Sequence, residues 1–414
     1  MLIICNMSKE KRQEKMGQPK AGRLGTKATT ALIAMLSMTP ALSTDMYLPA
    51  LPSMTAELAT TEAMTSLTVT VFFVAMATGM LVLGTISDAR GRCPMIMACS
   101  GIACAMCFVA IAAPSVWVLV LVRTVQGVAA GGMVSLATSL VKDCFEGRQM
   151  QVVMSVVQTA GMIAPTVAPL MGACILQFAH WKGIFVVLAL FSAISFLGAL
   201  AMGETLPAEQ RKAHDMKAAF KGLATIARTP HLRTLTISSG FALMSFMPYL
   251  GVASFIYQAY FGLSEFGFGI MFGVASIIGA AGPMVYLKTS GQPLGRMMLL
   301  MMGVETASAL LMLTVGHLHF MAFFFCMMPC LFLSTSMKPR VVTTMLNRTT
   351  IDAGATSSAL NFTHTVIGSL GMVLVSSGFM GDRVLALGSV ILIFAILAWA
   401  TWLPMRKKVL PELE

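Results

Sequence analysis

Twelve predominantly apolar stretches, most of them about 20 residues long, recur along the 414-residue chain, and a helix of about that length crosses a bilayer. They cover 28–48, 66–87, 95–113, 117–140, 152–177, 182–202, 235–257, 267–287, 297–316, 320–337, 355–378 and 384–403. A soluble domain is roughly a quarter charged; this chain is 11% charged and 57% hydrophobic. In hydrocarbon every backbone N–H and C=O needs an internal partner, which leaves helices or a closed barrel. The runs are continuous, whereas barrel strands alternate apolar and polar residues over about 10 positions. The expected fold is an all-α polytopic membrane protein with twelve transmembrane helices.

Lys and Arg give the orientation. With the N-terminus inside and the spans alternating, 25 of the 28 Lys and Arg fall on the inner side. Lys182 and Arg383 fall outside, and Arg123 alone lies within a span. Such a bias follows the positive-inside rule and places both termini in the cytoplasm. It also accounts for the net charge of +11, which reads as topology and contact with anionic lipid, with no nucleic-acid partner. The basic start before an apolar run resembles a secretory signal, but the run is long and carries an acid of its own, so no cleavage is expected. None of the nine cysteines is placed in an outer loop, so no disulfide is expected. Cys104 and Cys107 share a CxxC spacing inside an apolar run, where small packing residues are the expected reading.

The longest hydrophilic interior stretch, Glu204 to Arg233, divides the runs six and six. The expected organisation is a basic N-terminus 1–27, a six-helix bundle 28–203, a cytoplasmic linker 204–234, a second bundle 235–404 and a tail 405–414. Within the linker, Met216 to Ala227 has the pattern of a short amphipathic surface helix. Two similar bundles with a site between them suit a transporter that rocks one half against the other. There is no GxxxxGK[ST] loop and no soluble domain to hold one, so uphill transport must draw on an ion gradient, and no cofactor is expected.

Two opposite charges stand out. Asp45 sits in "STDMYLPALP", at the end of the first run, and Arg123 sits in "LVLVRTVQGVAAGG", inside the fourth. An intramembrane charge is costly and should face the protein interior with a partner. Counting at 1.5 Å per residue puts the two within about 5 Å in depth, so they could share a cavity. Gln126 lies one turn from Arg123. "GTISDARGRCP", Gly84 to Pro94, is a short basic turn that reads as a latch or as an ordinary tight loop. The fifth run, "QTAGMIAPTVAPLMGA", is punctuated by Gly161, Pro165, Pro169 and Gly172, as in a kinked, closely packed helix.

Together these motifs resemble the major facilitator superfamily. Gly84, Asp88, Gly91 and Arg92 resemble its signature between the second and third helices, and Arg123-x-x-Gln126-Gly127 its fourth-helix signature. The fifth run resembles the antiporter motif. "DMYLPALP" is similar to the bicyclomycin/chloramphenicol-resistance (Bcr/CflA) branch of the drug:proton antiporters. The resemblance spans 28–405. It implies two six-helix bundles, a monomer of the bacterial inner membrane, proton-coupled efflux of small drug-like molecules, and a cavity lined by spans 1, 4, 7 and 10. This chain departs from the pattern at Ala89, Ala164 and Ser37, where a basic residue, a Gly and an acid are commoner. Ser37 leaves Asp45 as the main proton carrier, with Arg123 as its coupling partner.

Tyr47, Phe246, Tyr249 and Tyr257 are candidate aromatic contacts for a substrate, together with Gln126. Gln158, Asn361 and His364 read as interhelical hydrogen-bonding groups, with His364 a second candidate proton site. Glu305, in the ninth run, reads as a structural or neutral, protonated acid. A rival reading keeps the fold but changes the cargo to a sugar, nucleoside or peptide. An integral-membrane enzyme is disfavoured, because the six histidines are scattered and no HExxH or paired-acid spacing occurs. No metal site is expected.

Overall fold

The computed structural model describes residues 24–207, 209, 211, 216–289, 291–349 and 353–404. The expected basic N-terminus, apart from its last four residues, and the tail 405–414 lie outside them. Among the described residues every regular element is helical. The first half contains α1 (Gly25–Asp45), a 3-10 turn (Leu48–Ala50), α2 (Leu51–Glu57), α3 (Glu62–Arg90), α4 (Arg92–Ile111), α5 (Val116–Cys144), α6 (Gly147–Phe178) and α7 (Lys182–Met202). The linker carries α8 (Met216–Arg228). The second half contains α9 (Pro230–Leu243), α10 (Phe246–Ser254) running into a π-helical turn (Phe255–Tyr260), α11 (Glu265–Thr289), α12 (Leu294–Thr314), α13 (Phe320–Arg348), α14 (Ala353–Ser376) and α15 (Arg383–Trp402).

Among the described residues, eleven helical segments are long and apolar enough to span a membrane, with α9, α10 and the π turn counting as one. α1 has comparable length, 21 residues, but its Thr, Ser and terminal Asp45 make it more polar. The outward faces are apolar: Phe108, Trp117, Leu121, Phe178, Leu190 and Ile277 are all exposed. A single exposed apolar residue is ordinary, but a continuous apolar belt suits lipid. Interior hydroxyls return their protons to the preceding turn, as Thr124 Oγ1 does to the Val120 carbonyl at 2.8 Å and Thr306 Oγ1 to Met302 at 2.7 Å. In this way many polar residues sit in apolar helices with their donors satisfied.

Three expected boundaries are corrected. The first span does not end near residue 48. The chain turns after Asp45 and continues through α2, with Pro49 and Pro52 in the opening positions of the 3-10 turn and of α2, where a missing N–H costs nothing. Asp45 therefore lies twelve residues, about 18 Å, from Glu57 at the end of the span. The tenth span does not end at 337. α13 runs through Lys338-Pro339-Arg340 to Arg348, with both Pro329 and Pro339 inside it. A bundle can re-satisfy the carbonyls that such prolines free. Lys338 is thus inside a helix instead of in a loop beyond one. The expected linker is shorter, because α9 already begins at Pro230.

The two halves meet along α6 and α11 and along α3 and α14. One end of this interface is pinned shut. Arg383, opening α15, makes a two-pronged ion pair with Glu62, opening α3. Ser66 Oγ donates to the Gly251 carbonyl at 2.7 Å, and Gln258 Nε2 donates to the Pro49 carbonyl at 3.0 Å. We refer to this as the Glu62 end and to the opposite face as the Arg92 end.

Candidate functional site

A cavity of about 480 Å³ opens between the halves. The first half supplies Pro40, Thr44, Asp45, Phe73, Gly161 and Pro165. The second half supplies Phe246, Phe272, Ser276, Pro283, Thr335 and Lys338. The walls bend where helix-interior prolines remove a backbone donor. Pro40, Pro165 and Pro283 lie in the interiors of α1, α6 and α11 and face the cavity. One freed acceptor is used across the interface. Pro169 cannot donate to the Pro165 carbonyl, and Ser276 Oγ bonds it at 3.2 Å.

Asp45 is the one acidic residue among the described residues lining this cavity. It is 7% exposed and accepts a hydrogen bond from Thr44 Oγ1 at 3.0 Å. Its turn is held from behind by α6. A Cβ added at Gly172 would lie 2.0 Å from the Met46 carbonyl oxygen, so only glycine lets the helix approach. Gly161, three turns away on nearly the same face of that helix, has nothing within 4 Å of such a Cβ and lines the open cavity.

Arg123 does not line the cavity. It is fully buried behind Tyr47, with its guanidinium carbon 4.9 Å from the centre of the Tyr47 ring and 4.2 Å from that of Phe72. Stacking of this kind suits a planar cation in a desolvated setting. Its Nη1 donates to Gln126 Oε1 at 3.2 Å, and Gln126 Nε2 reaches Cys107 Sγ at 3.3 Å. Nε and Nη2 have no partner among the described residues. Tyr47, two residues after Asp45, bonds Thr68 Oγ1 at 2.9 Å. The turn bearing Asp45 and Tyr47 therefore stands between the cavity and the buried cation.

Of the five residues expected to contact substrate, only Phe246 lines this cavity. Tyr47 and Gln126 belong to the Arg123 cluster. Tyr249 stacks on Phe272 at 6.1 Å, behind the cavity wall, and Tyr257 packs edge-on to Phe323 at 5.3 Å, so both are buried in aromatic packing. Gln158 is exposed, and Asn361 Nδ2 reaches Ser357 Oγ within its own helix, at 3.5 Å, instead of crossing to another. His364 bonds Ser239 Oγ of α9 at 3.0 Å, an interhelical contact. Glu305 is buried, and neither carboxyl oxygen has a partner among the described residues.

The expected latch forms a compact knot at the Arg92 end. Gly91 has φ +101°, a conformation few side chains tolerate, and this turns the chain between α3 and α4. Arg92 pairs with Asp88 at 2.7 Å and Asp143 at 2.7 Å and donates to Ser87 Oγ at 2.5 Å. Its backbone N–H bonds Glu204 Oε1 at 2.9 Å. Gly84 faces Ser135 of α5. These partners lie in the first half or at the start of the linker, so the knot ties α3, α4 and α5 together.

A family model for the Major Facilitator Superfamily matches residues 33–372. The chain belongs to this superfamily. Its members are transporters, not enzymes. Among its relatives, the chain is 30% identical over 273 residues to the MFS-type transporter YdgK of Bacillus subtilis, covering 64% of this chain and 66% of that protein. It is 27% identical to a bicyclomycin resistance protein homolog of Haemophilus influenzae, over 60% of this chain and 63% of that one. It is 26% identical to a chloramphenicol resistance protein of Pseudomonas aeruginosa, over 62% and 60% respectively. These matches span slightly less than two thirds of the relatives' length. In fold the chain resembles a crystallised peptide transporter, with TM-score 0.74 and 12% identity, covering 94% of this chain and 96% of that one. It also resembles a bacterial homolog of the lysosomal transporter Spinster in an inward-facing, occupied conformation, with TM-score 0.71 and 15% identity, over 94% and 99%.

Proposed function

We propose that the chain is a proton-coupled antiporter that exports drug-like molecules across the bacterial inner membrane by alternating access. The Glu62 end is the outer face, both termini are cytoplasmic, twelve helices span the membrane, and one chain is a working unit. The observation that carries this reading is a lone carboxylate, Asp45, in an otherwise largely apolar cavity between two halves of a transporter fold. The relatives named for bicyclomycin and chloramphenicol resistance favour a drug over a sugar, nucleoside or peptide as cargo.

Asp45 is the proton site in this reading. With the Arg92 end open to the cytoplasm, substrate enters the cavity and Asp45 gives up its proton there. With the halves rocked the other way, Asp45 is reprotonated from outside and substrate leaves. Arg123 couples the two states. Its free Nε and Nη2 offer an ionised Asp45 a partner when the turn carrying Met46 and Tyr47 rotates, and its ring stacking holds it in place otherwise. Asp45→Asn and Arg123→Ala are each expected to abolish uphill export in membrane vesicles while the protein stays in the membrane. Uphill export retained by both variants refutes the assignment.

A further inference from the structure

The cavity holds one basic side chain, Lys338, that the reading above does not use. Its position is unusual. α13 continues ten residues beyond it to Arg348, about 15 Å at helical rise, too far for a lysine to lift its ammonium to the end of its own helix. The side chain is accessible within the cavity and lies opposite the wall formed by α1 and α6. No carboxylate among the described residues pairs with it, and Asp45 has Thr44 as its hydrogen-bonding partner instead. An exposed ammonium on an otherwise largely apolar cavity wall, with no carboxylate partner among the described residues, is free to take an anionic ligand.

The two charges also differ in depth. Asp45 lies about 18 Å from the end of its span at Glu57, and Lys338 about 27 Å from the start of α13 at Phe320, which is the same side of the bundle. Rings and aliphatic side chains from both halves line the space: Phe73, Phe246, Leu250, Phe272 and Leu331. The cavity thus offers a cationic head site towards the Arg92 end, an apolar body site, and the proton-carrying acid beyond it.

We propose that Lys338 is a specificity-determining residue that binds the anionic oxygen group of an amphiphilic organic acid, whose ring system lies among these apolar side chains. This deepens the efflux reading and rests on it for direction of transport, though not for binding. The ammonium supplies charge-assisted hydrogen bonds to a carboxylate, and a neutral amide of the same shape forfeits most of that gain. Anionic cargo makes no direct salt bridge to Asp45, and the Lys338 ammonium offsets its charge, so release of the Asp45 proton rests on the conformational change.

The test uses full-length protein in lipid nanodiscs, with 2-naphthoate and its neutral amide, 2-naphthamide, as probes in calorimetric titrations. The wild type is expected to bind the acid about tenfold more tightly than the amide. Lys338→Gln should remove that preference by weakening the acid far more than the amide, and Lys338→Arg should retain it. Equal affinity for acid and amide in the wild type overturns the proposal without recourse to a variant, as does failure of the acid to bind at millimolar concentration. Equal weakening of both probes by Lys338→Gln means a structural lysine and also overturns it. Export from cells challenged with neutral drugs is scored separately. Absent export with an intact acid preference removes the efflux reading and leaves the Lys338 site standing.

Discussion

Gly172→Ala is a demanding test of how the Asp45 turn is held. The added methyl carbon would lie 2.0 Å from the Met46 carbonyl oxygen and 2.9 Å from its carbon. Ordinary contact begins about 1.4 Å farther out, and the opposing atoms are backbone in a closely packed interior, so they cannot swing aside as a side chain could. Overpacking of this kind costs about 1–3 kcal/mol. Gly161→Ala is the matched control. It makes the same substitution on the same helix where nothing lies within 4 Å, and helix propensity alone gives it a gain of up to about 1 kcal/mol. That gain applies to both sites and cancels, so the two variants should differ by about 1–3 kcal/mol. The assay is thermal unfolding of each purified variant in one detergent, read by the loss of monodisperse protein. Gly172→Ala should melt several degrees below wild type and Gly161→Ala at or above it. Gly172→Ala should also lose transport, because α6 can relax only by pushing the turn that carries Asp45. If the two variants melt together, α6 does not clamp that turn and the account of the site's rigidity is wrong.

Other outcomes follow from the same structure. Arg383→Ala removes the ion pair that pins the Glu62 end; the pair is about one third exposed, so its loss should cost at most about 1 kcal/mol and favour opening by no more than about fivefold, read as a shift in spin-label distances across that end. Arg123→Lys keeps the charge but loses the planar stacking on Tyr47 and Phe72, so it should transport at least about tenfold more slowly than wild type in vesicles; near-normal transport would show that charge alone suffices. Trp181→Phe removes the indole N–H that donates to Glu57 at 2.8 Å and should destabilise the protein by about 1 kcal/mol in the same melting assay, without changing drug selectivity.

The helices were legible because apolar length is a strong one-dimensional signal. The run 182–202 coincides with α7, and 384–403 lies within a residue of α15. The signal failed where polarity and proline were read as helix ends. Lys338-Pro339-Arg340 looked like a cytoplasmic exit, yet α13 carries it onward, because a cavity can hydrate a lysine and a bundle can accommodate a proline. The first run covers 28–48, yet Pro49 and Pro52 beyond it each start a new helical turn. Depth counting brought Asp45 and Arg123 to one level but carries no information about direction around the helix axis. Tyr47 separates them in this arrangement, a relation set by the packing of the turn after α1 on Thr68 and Phe72 of α3 and on Arg123 of α5. The aromatic residues show the same limit: Phe246 and Tyr249 are three positions apart on α10, and one faces the cavity while the other is buried against Phe272 behind its wall.

The most direct test of the central claim, that Asp45 exchanges its proton for substrate, is proton release by the purified protein in weakly buffered detergent. Addition of a transported drug to the wild type should release protons in proportion to the protein present, and Asp45→Asn should release none while remaining monodisperse. Equal release by Asp45→Asn would contradict the account and move the proton site elsewhere in the chain.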